Sequence, residues 1–349
     1  MDERPPERKQ SYNIKERQNL GKNVYEASKD RVRNAYNLYD THAVMFSGGK
    51  DSTIVLNVVL EVARELDKLP LQVIYLDEEI VNPETTEYVE RVAQIPDIDL
   101  RWCCWQFKFP NNCNKKIPYW FTWDENQKDL WVREKPTEFK IEPEPENYIP
   151  CENTAMGKWL FPESKYGEIG NVAQYFGIRA QESLIRLRAV SKRETENYII
   201  RDVEPSGHVN NVWKIYPIYD WKTQDVWTAP KMFDWDYNHS YDLMEKLGIS
   251  HGLQRVAPPF GNEPLQRLWV YAICYPEMWD KMIARVPGAN TAGMYAKTQA
   301  YGFRGVSERP DGWSYEDWIA HLISKHSPEN QVKISTRLKA MMDWHFNQI

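Results

Sequence analysis

Apolar residues along the first hundred positions fall into short blocks that alternate between two periods. Val24, Ala27, Val32, Ala35, Tyr36 and Leu38 lie among charges at helical spacing, which predicts an amphipathic helix over 24–39. His42–Phe46 is a brief apolar run, as a buried strand requires. The apolar positions Val55, Val58, Val59, Val62 and Leu66 then return to a 3.6-residue period. LPLQVIYLD, ending at Asp77, reads as a second buried strand. PETTEYVERVAQ, with Pro83 in its first turn, reads as a helix, and DIDLRW as a third strand. Strand and helix alternating in this way predict an α/β fold, doubly wound, with a mostly parallel sheet and helices on both faces.

The pattern breaks over 103–170, a stretch rich in Trp, Pro, Lys and Glu that reads as an irregular insertion. It resumes with NVAQYFGIR as a strand turning at Gly177, ESLIRLRAV as a helix and NVWKIYPIYDW as a strand, with Thr223 placed to cap the next helix. Glu263–Cys274, Glu277–Val286, Tyr315–Ser324 and Val332–His345 read as helices. The expected organisation is therefore a frayed arm over 1–18, an α/β domain over 19–235 carrying the insertion, and a mainly helical region over 236–349.

Composition narrows the classes. Hydrophobic residues are 42% and charged residues 27%, so a packed core is expected. No apolar run reaches the ~20 residues of a membrane-spanning helix. The N-terminal MDERPPERKQ lacks the apolar segment of a secretory signal. The 5 cysteines do not suggest a disulfide framework, and a cytoplasmic location is expected. A net charge of -6 offers no global attraction to nucleic acid, which leaves only a local basic groove for such a partner. The 15 tryptophans are expected mostly in the core, with some available to stack on a base.

The chemistry concentrates at Ser47–Ser52. A buried strand, then Ser-Gly-Gly, then a helix opening on Lys50 and Asp51 forms an anion-binding turn. Gly48 and Gly49 let backbone N–H groups converge, the helix N-terminus adds its own, Lys50 brings a charge, and Ser47 and Ser52 bring hydroxyls. It is not a Walker loop, because Val44 stands where glycine would be needed and Asp51 where Ser or Thr would be.

SGGKDS resembles the pyrophosphate loop of the N-type ATP pyrophosphatases and phosphoadenosine phosphosulfate reductases, the PP-loop superfamily with an adenine nucleotide alpha hydrolase-like fold. LDEEIVNPETTEYVE at 76–90, GIRAQESLIR at 177–186 and YPIYDWKTQDVW at 216–227 resemble further segments of that superfamily, in order. WCCW at 102–105, DLWVRE at 129–134 and WDYNHSYDLM at 235–244 are most similar to its immunoglobulin-binding regulator A branch. The resemblance implies that Ser47, Gly48, Gly49, Lys50, Asp51 and Ser52 cradle the phosphates of ATP or a related adenine nucleotide. It also places an adenine or ribose edge near Leu76 and Asp77, and gives Gly177, Arg179, Glu182 and Arg186 a place at the nucleotide. Lys50, Asp51 and Arg179 are the candidate catalytic residues. Asp51 beside phosphate either calls for Mg²⁺ or simply favours the helix N-terminus. Arg179 can grip phosphate bidentately, whereas Glu182 and Arg186 also have the spacing of a helical ion pair. Asp220, Trp221, Asp225 and Trp227 read as a packing and capping cluster.

The expected activity is cleavage of ATP to AMP and pyrophosphate, activating an unknown acceptor by adenylylation. Alternatives are a nucleotide-sensing regulator without turnover, for which the resemblance suggests a ParB/sulfiredoxin-like protein partner, and ATP-dependent sulfur insertion into nucleic acid using Cys103 or Cys104. Phosphosulfate reduction is not expected, because the tail carries no cysteine beyond Cys274, which sits in the apolar stretch LWVYAICYPEMW. Cys103, Cys104, Cys113 and Cys151 are weak candidates for a metal site, lacking paired Cys-x₂₋₄-Cys arms. His208, His239 and His251 show no ligand spacing and read as loop residues.

Overall fold

A computed structural model describes residues 21–152, 156–161, 170–190, 197–203, 209–261, 264–295 and 309–346. The expected arm at 1–18, His208 and the first residue of the stretch read as a helix from Glu263 lie outside them. The first strand, β1 (Thr41–Phe46), follows helix α1 (Val24–Leu38) and leads through Ser47–Gly49 into helix α2 (Lys50–Glu65). Strand β2 (Leu71–Leu76), helix α3 (Pro83–Ala93) and strand β3 (Ile98–Cys103) complete the first winding. Strands β4 (Lys108–Pro110) and β5 (Tyr119–Phe121) form a separate antiparallel pair, and β6 (Val172–Tyr175), β7 (Ile199–Val203) and β8 (Val209–Ile215) return to the main sheet.

That sheet has 6 strands in the order β3-β2-β1-β6-β8-β7. Neighbours pair in parallel except for β7, which runs antiparallel to β8 at the edge. The expected doubly wound, mostly parallel sheet with helices on both faces is what the chain forms. Its central strands are closed to water on both sides: Ala43, Val44, Val73, Ile74, Val172 and Ala173 are buried. Helix α2 is buried through most of its length, from Ser52 to Ala63, as its run of valines and leucines dictates. Because β1 turns one way to β2 and the chain later returns to its other side as β6, the strand order reverses between β1 and β6. The crevice beyond their carboxyl ends is where open α/β sheets bind ligands.

The insertion is irregular as expected, with only short regular pieces such as the β4–β5 pair, yet it is anchored by buried tryptophans: Trp105, Trp120, Trp123 and Trp131. Two expectations change. The edge strand β7 went unread, as its pattern is interrupted by neighbouring polar residues. Thr223 is the first residue of helix Thr223–Phe233 and not its cap; Asp225 accepts from the Lys222 backbone N–H at 2.7 Å.

The chain divides into compact units at 297/298, whereas the sequence placed the boundary at 235/236. Residues 236–295 belong with the sheet: Asn238 bonds to Gly48, and Tyr241, Arg255–Pro258 and Gly261 line the crevice. In the second unit, helices Tyr315–Ser324 and Pro328–Phe346 are present, the first capped by Ser314, whose hydroxyl accepts from Asp317 N–H at 3.0 Å. No helix among the described residues is long and apolar enough to cross a membrane.

Candidate nucleotide site

The Ser47–Ser52 turn stands at the strand-order reversal, and its shape is fixed by groups that consume its inward-facing atoms. Gly48 adopts φ +68°, where a side chain would be strained, and a Cβ there would come within 2.9 Å of Thr85 Cγ2. The Gly48 carbonyl accepts from Asn238 Nδ2 at 2.9 Å, and the same amide nitrogen donates to Thr85 Oγ1 at 2.8 Å. Asn238 is fully buried, so this clamp works away from water. Ser52 Oγ accepts from Ser47 N–H at 3.2 Å and donates to the Gly49 carbonyl at 2.9 Å, closing the turn from within. Tyr241 approaches from outside, its hydroxyl oxygen accepting from Lys50 N–H at 2.9 Å.

Gly177, just past β6, is required for a different reason. A Cβ there would lie 2.7–2.9 Å from backbone atoms of Asp51 and Ser52. The exit of β6 therefore rests directly on the first turn of α2. These contacts enclose a cavity of about 620 Å³ in front of the turn. Met45, Ile74, Leu76, Phe109, Phe176 and Ile178 supply apolar wall, while Ser47, Gly49, Asp51 and Ser52 form the polar end. Charged side chains around it are Lys50, Arg186 and Arg255 against Asp51, Glu78 and Glu182.

The structure separates the two arginines of the Gly-x-Arg-x-x-Glu-Ser-x-x-Arg segment. Arg179 does not line the cavity. It is 2% exposed and its Nε reaches Asp51 Oδ1 at 2.5 Å, with Nη1 3.5 Å from Trp221 O and Thr223 Oγ1. Arg186 lines the cavity and pairs with Glu182, which also lies there. Asp51 therefore holds an arginine behind the turn. Its Oδ2 lies 3.5 Å from Lys50 Nζ. Lys50 extends toward the Gln254 carbonyl, 2.9 Å away, and burial pulls its ammonium below the usual lysine range.

Asp77 is likewise turned inward. It is fully buried and accepts from Trp102 Nε1 at 2.7 Å, from Glu79 N–H at 3.0 Å and from Arg133. Leu76 stays on the cavity wall and Glu78 takes the acidic place beside it. Glu79, also fully buried, holds the insertion and helix Pro276–Arg285 through Trp123 N–H at 2.7 Å and Arg285 Nε at 3.0 Å. Asp220 pairs with Arg31 at 2.6 Å and Trp221 Nε1 donates to Ser28 Oγ at 2.8 Å, a packing cluster as expected of them.

The cysteines are dispersed in chemistry as well as place. Cys103 and Cys104 are buried, and burial pushes the Cys103 thiol up to about 12 and the Cys104 thiol higher still. Cys104 Sγ sits 3.6 Å from Asp77 Oδ2, which further opposes a thiolate. Burial raises Cys113 to about 12, and Cys151 Sγ lies 3.6 Å from Met156 Sδ. No three His, Cys, Asp or Glu side chains come together as a metal-binding group among the described residues. Cys274 is half-buried at the end of helix Leu268–Cys274.

Sequence reasoning missed Asn238, Tyr241, Glu78, Phe109 and Arg255. Asn238 and Tyr241 lie in the WDYNHSYDLM segment, noticed only as a resemblance. No local periodicity marks the 254–261 segment, whose role exists only after folding.

Residues 41–244 match the model of the phosphoadenosine phosphosulfate reductase domain family, and residues 248–348 match a domain of unknown function (DUF3440). The chain is 27% identical over 344 residues to the uncharacterized protein YbdN of Escherichia coli (strain K12), covering 93% of this chain and 80% of that one. Among solved structures it is similar to Candida glabrata FMN adenylyltransferase, at 12% identity and TM-score 0.38 over 62% of this chain; the match spans 57% of that chain's length. It is similar to a Candida auris phosphoadenylyl-sulfate reductase in a phosphate complex, at 19% identity and TM-score 0.33 over 62% of this chain and 84% of that one. The U34-tRNA thiolase NcsA of Methanococcus maripaludis matches at 13% identity and TM-score 0.33, over 84% of this chain and 86% of that one.

Proposed function

The chain belongs to the phosphoadenosine phosphosulfate reductase domain family, within the PP-loop superfamily, and from that premise we propose that its front cavity binds ATP and cleaves it between the α and β phosphates. The observation that carries this reading is the turn itself. Asn238 ties the Gly48 carbonyl back, and Ser47, Gly49 and the first turn of α2 line a cavity at the strand-order reversal. A volume of about 620 Å³ falls within the usual range for a bound small molecule.

The triphosphate lies against Ser47–Ser52, and the base lies along Ile74, Leu76 and Phe176. An oxygen or nitrogen lone pair of the acceptor attacks the α-phosphorus; the bond to the α–β bridging oxygen breaks, and pyrophosphate leaves with that electron pair. The protein's share is orientation and charge. Backbone N–H groups and Lys50 meet the departing phosphates, and Arg186 lies on the wall where the acceptor enters. Arg179 acts as a positioning residue: it holds Asp51 and thereby the first turn of α2. The donor set suits Mg²⁺, which binds through one or two carboxylates plus phosphate oxygens, with Asp51 and Glu78 on the cavity wall. When bound it would neutralise phosphate charge.

Sulfur insertion needs an accessible thiolate, and the burial of Cys103 and Cys104 speaks against it. Phosphosulfate reduction needs the same. The test is chromatography of ATP labelled at the α-phosphate after incubation with the protein, Mg²⁺ and panels of carboxylate, amine and nucleic-acid acceptors. Labelled AMP or an adenylylated acceptor, with matching pyrophosphate, supports the reading. Tight ATP binding with no product under any acceptor would make the chain a nucleotide sensor.

A further inference from the structure

Several donors of the phosphate turn are already spent inside the fold. Ser47 N–H goes to Ser52 Oγ at 3.2 Å, and the Lys50 ammonium lies 2.9 Å from the Gln254 carbonyl and 3.5 Å from Asp51. Lys50 N–H, at the open end of α2, goes to the hydroxyl of Tyr241 at 2.9 Å. That tyrosine stands on helix Ser240–Lys246 and reaches the turn across 191 positions of chain.

Packing fixes which end of Tyr241 meets the turn. The residue is 3% exposed, and its ring stands edge-on to Trp227, the centroids 5.2 Å apart at 87°. Its hydroxyl lies at the other end, 3.5 Å from where a Gly49 Cβ would stand. Gly49, Lys50 and Tyr241 line the front cavity together, and the hydroxyl is the polar group that Tyr241 brings to that wall.

A phenol oxygen that accepts a hydrogen bond still has a proton to give. Here the oxygen accepts from Lys50 N–H, and the Val256 backbone also bonds to it. Among the described residues, none accepts the Tyr241 proton in return. A buried donor with no acceptor is unfavourable, and the cavity it borders is where an acceptor can arrive. Each N–H received by the oxygen polarises the O–H and makes it a stronger donor, the more so at the positive end of a helix.

We propose that Tyr241 is a further ligand of the anion held at the Ser47–Ser52 turn: its hydroxyl takes the first N–H of α2 and returns an O–H donor to a phosphate oxygen. The assignment rests on the reading of that turn as a phosphate site. Burial holds the hydroxyl well above the usual tyrosine range, and the Asp51 charge pushes the same way, so the group stays O–H. It therefore donates a hydrogen bond and transfers no proton. The part of the ligand it recognises is the pyrophosphate oxyanion, not the base or the ribose.

The test is calorimetric titration of the full chain with magnesium pyrophosphate. The parent protein should bind it saturably, and Tyr241→Phe should bind it about 10- to 100-fold more weakly, the worth of a hydrogen bond to a charged group. Tyr237→Phe, which loses a nearby hydroxyl bonded to Asp242 at 3.0 Å, should bind like the parent. Because Tyr241→Phe also strips Lys50 N–H of its acceptor, Tyr241→3-fluorotyrosine separates donor from scaffold. Ring fluorine makes the O–H a better donor and its oxygen a poorer acceptor. Donation to the ligand thus predicts tighter pyrophosphate binding, whereas a scaffold role predicts equal or weaker binding. Thermal melts accompany each variant, and the fluorinated chain carries the test if Tyr241→Phe unfolds. No saturable binding by the parent would remove the phosphate reading and this proposal with it. Parental binding with undiminished affinity in Tyr241→Phe, an equal loss in Tyr237→Phe, or no gain in the fluorinated chain would overturn this proposal alone.

Discussion

Replacing Arg179 with alanine separates a structural guanidinium from a ligand-binding one. The side chain is 2% exposed and Asp51 14% exposed, with the two 2.5 Å apart. Removing one member of a buried pair costs about 3–5 kcal/mol, because the other charge is left without its partner. Here Lys50 remains 3.5 Å from the Asp51 carboxylate, which puts the expected loss near the low end, about 3 kcal/mol. At roughly 2–4 °C per kcal/mol for a chain of this size, Arg179→Ala should melt roughly 6–12 °C below the parent protein. The double variant Asp51→Asn/Arg179→Ala, which removes both charges, should recover most of that loss. Scanning calorimetry on the parent, both single variants and the double variant closes the cycle. If Arg179→Ala keeps the parental melting temperature while nucleotide binding collapses, Arg179 is a ligand and the reading of Asp51 as its counter-ion is wrong.

Further outcomes follow from other contacts. Gly177→Ala should cost about 1–3 kcal/mol by overpacking, since its Cβ would meet the Asp51 and Ser52 backbone at 2.7–2.9 Å; an unchanged melt would mean the strand exit is free to shift. Burial lowers His42 from 6.5 to about 4, and its neutral ring fits its contacts, Nε2 donating to Tyr39 O and Nδ1 accepting from Tyr175 OH. The unfolded chain therefore takes up a proton at His42 before the folded one does, and stability should fall as pH drops from about 6.5 toward about 4. His42→Gln should flatten that part of the melting profile, and identical slopes would contradict the assignment. Cys103 and Cys104, with thiols raised by burial, should resist alkylation at pH 8 in the folded protein and react only on unfolding. Phosphoadenosine phosphosulfate with thioredoxin should yield no sulfite; release abolished by Cys103→Ser would relocate the redox chemistry.

Much of the sheet was legible because β1, β2 and β6 are largely apolar, mostly buried runs, each followed by a turn or helix signal. The anion turn was legible for a local reason: SGG between strand and helix states its geometry within six residues. What folding adds is non-local. Asn238 reaches Gly48 across 190 positions and Arg179 reaches Asp51 across 128, distances over which no period or spacing carries information. Arg179 looked like a ligand because it follows a strand at the right end of the sheet. That end is also where an aspartate opening α2 needs a counter-ion, and the motif alone does not choose between the two. Asp77 was misplaced on the same ground. Strand β2 ends at the crevice, but a single residue further on the backbone turns the carboxylate inward onto Trp102 and Arg133.

The central claim is that the Ser47–Ser52 turn holds the phosphates of an adenine nucleotide. Titration of the full chain with Mg·ATP in a calorimeter, repeated with Lys50→Ala, tests it most directly. The expected result is saturable one-to-one binding, competed by pyrophosphate and weakened in Lys50→Ala by about 1.5–3 kcal/mol, the range for a charge-assisted hydrogen bond. Absence of saturable binding by the parent protein, or equal affinity in the Lys50→Ala variant, would contradict it.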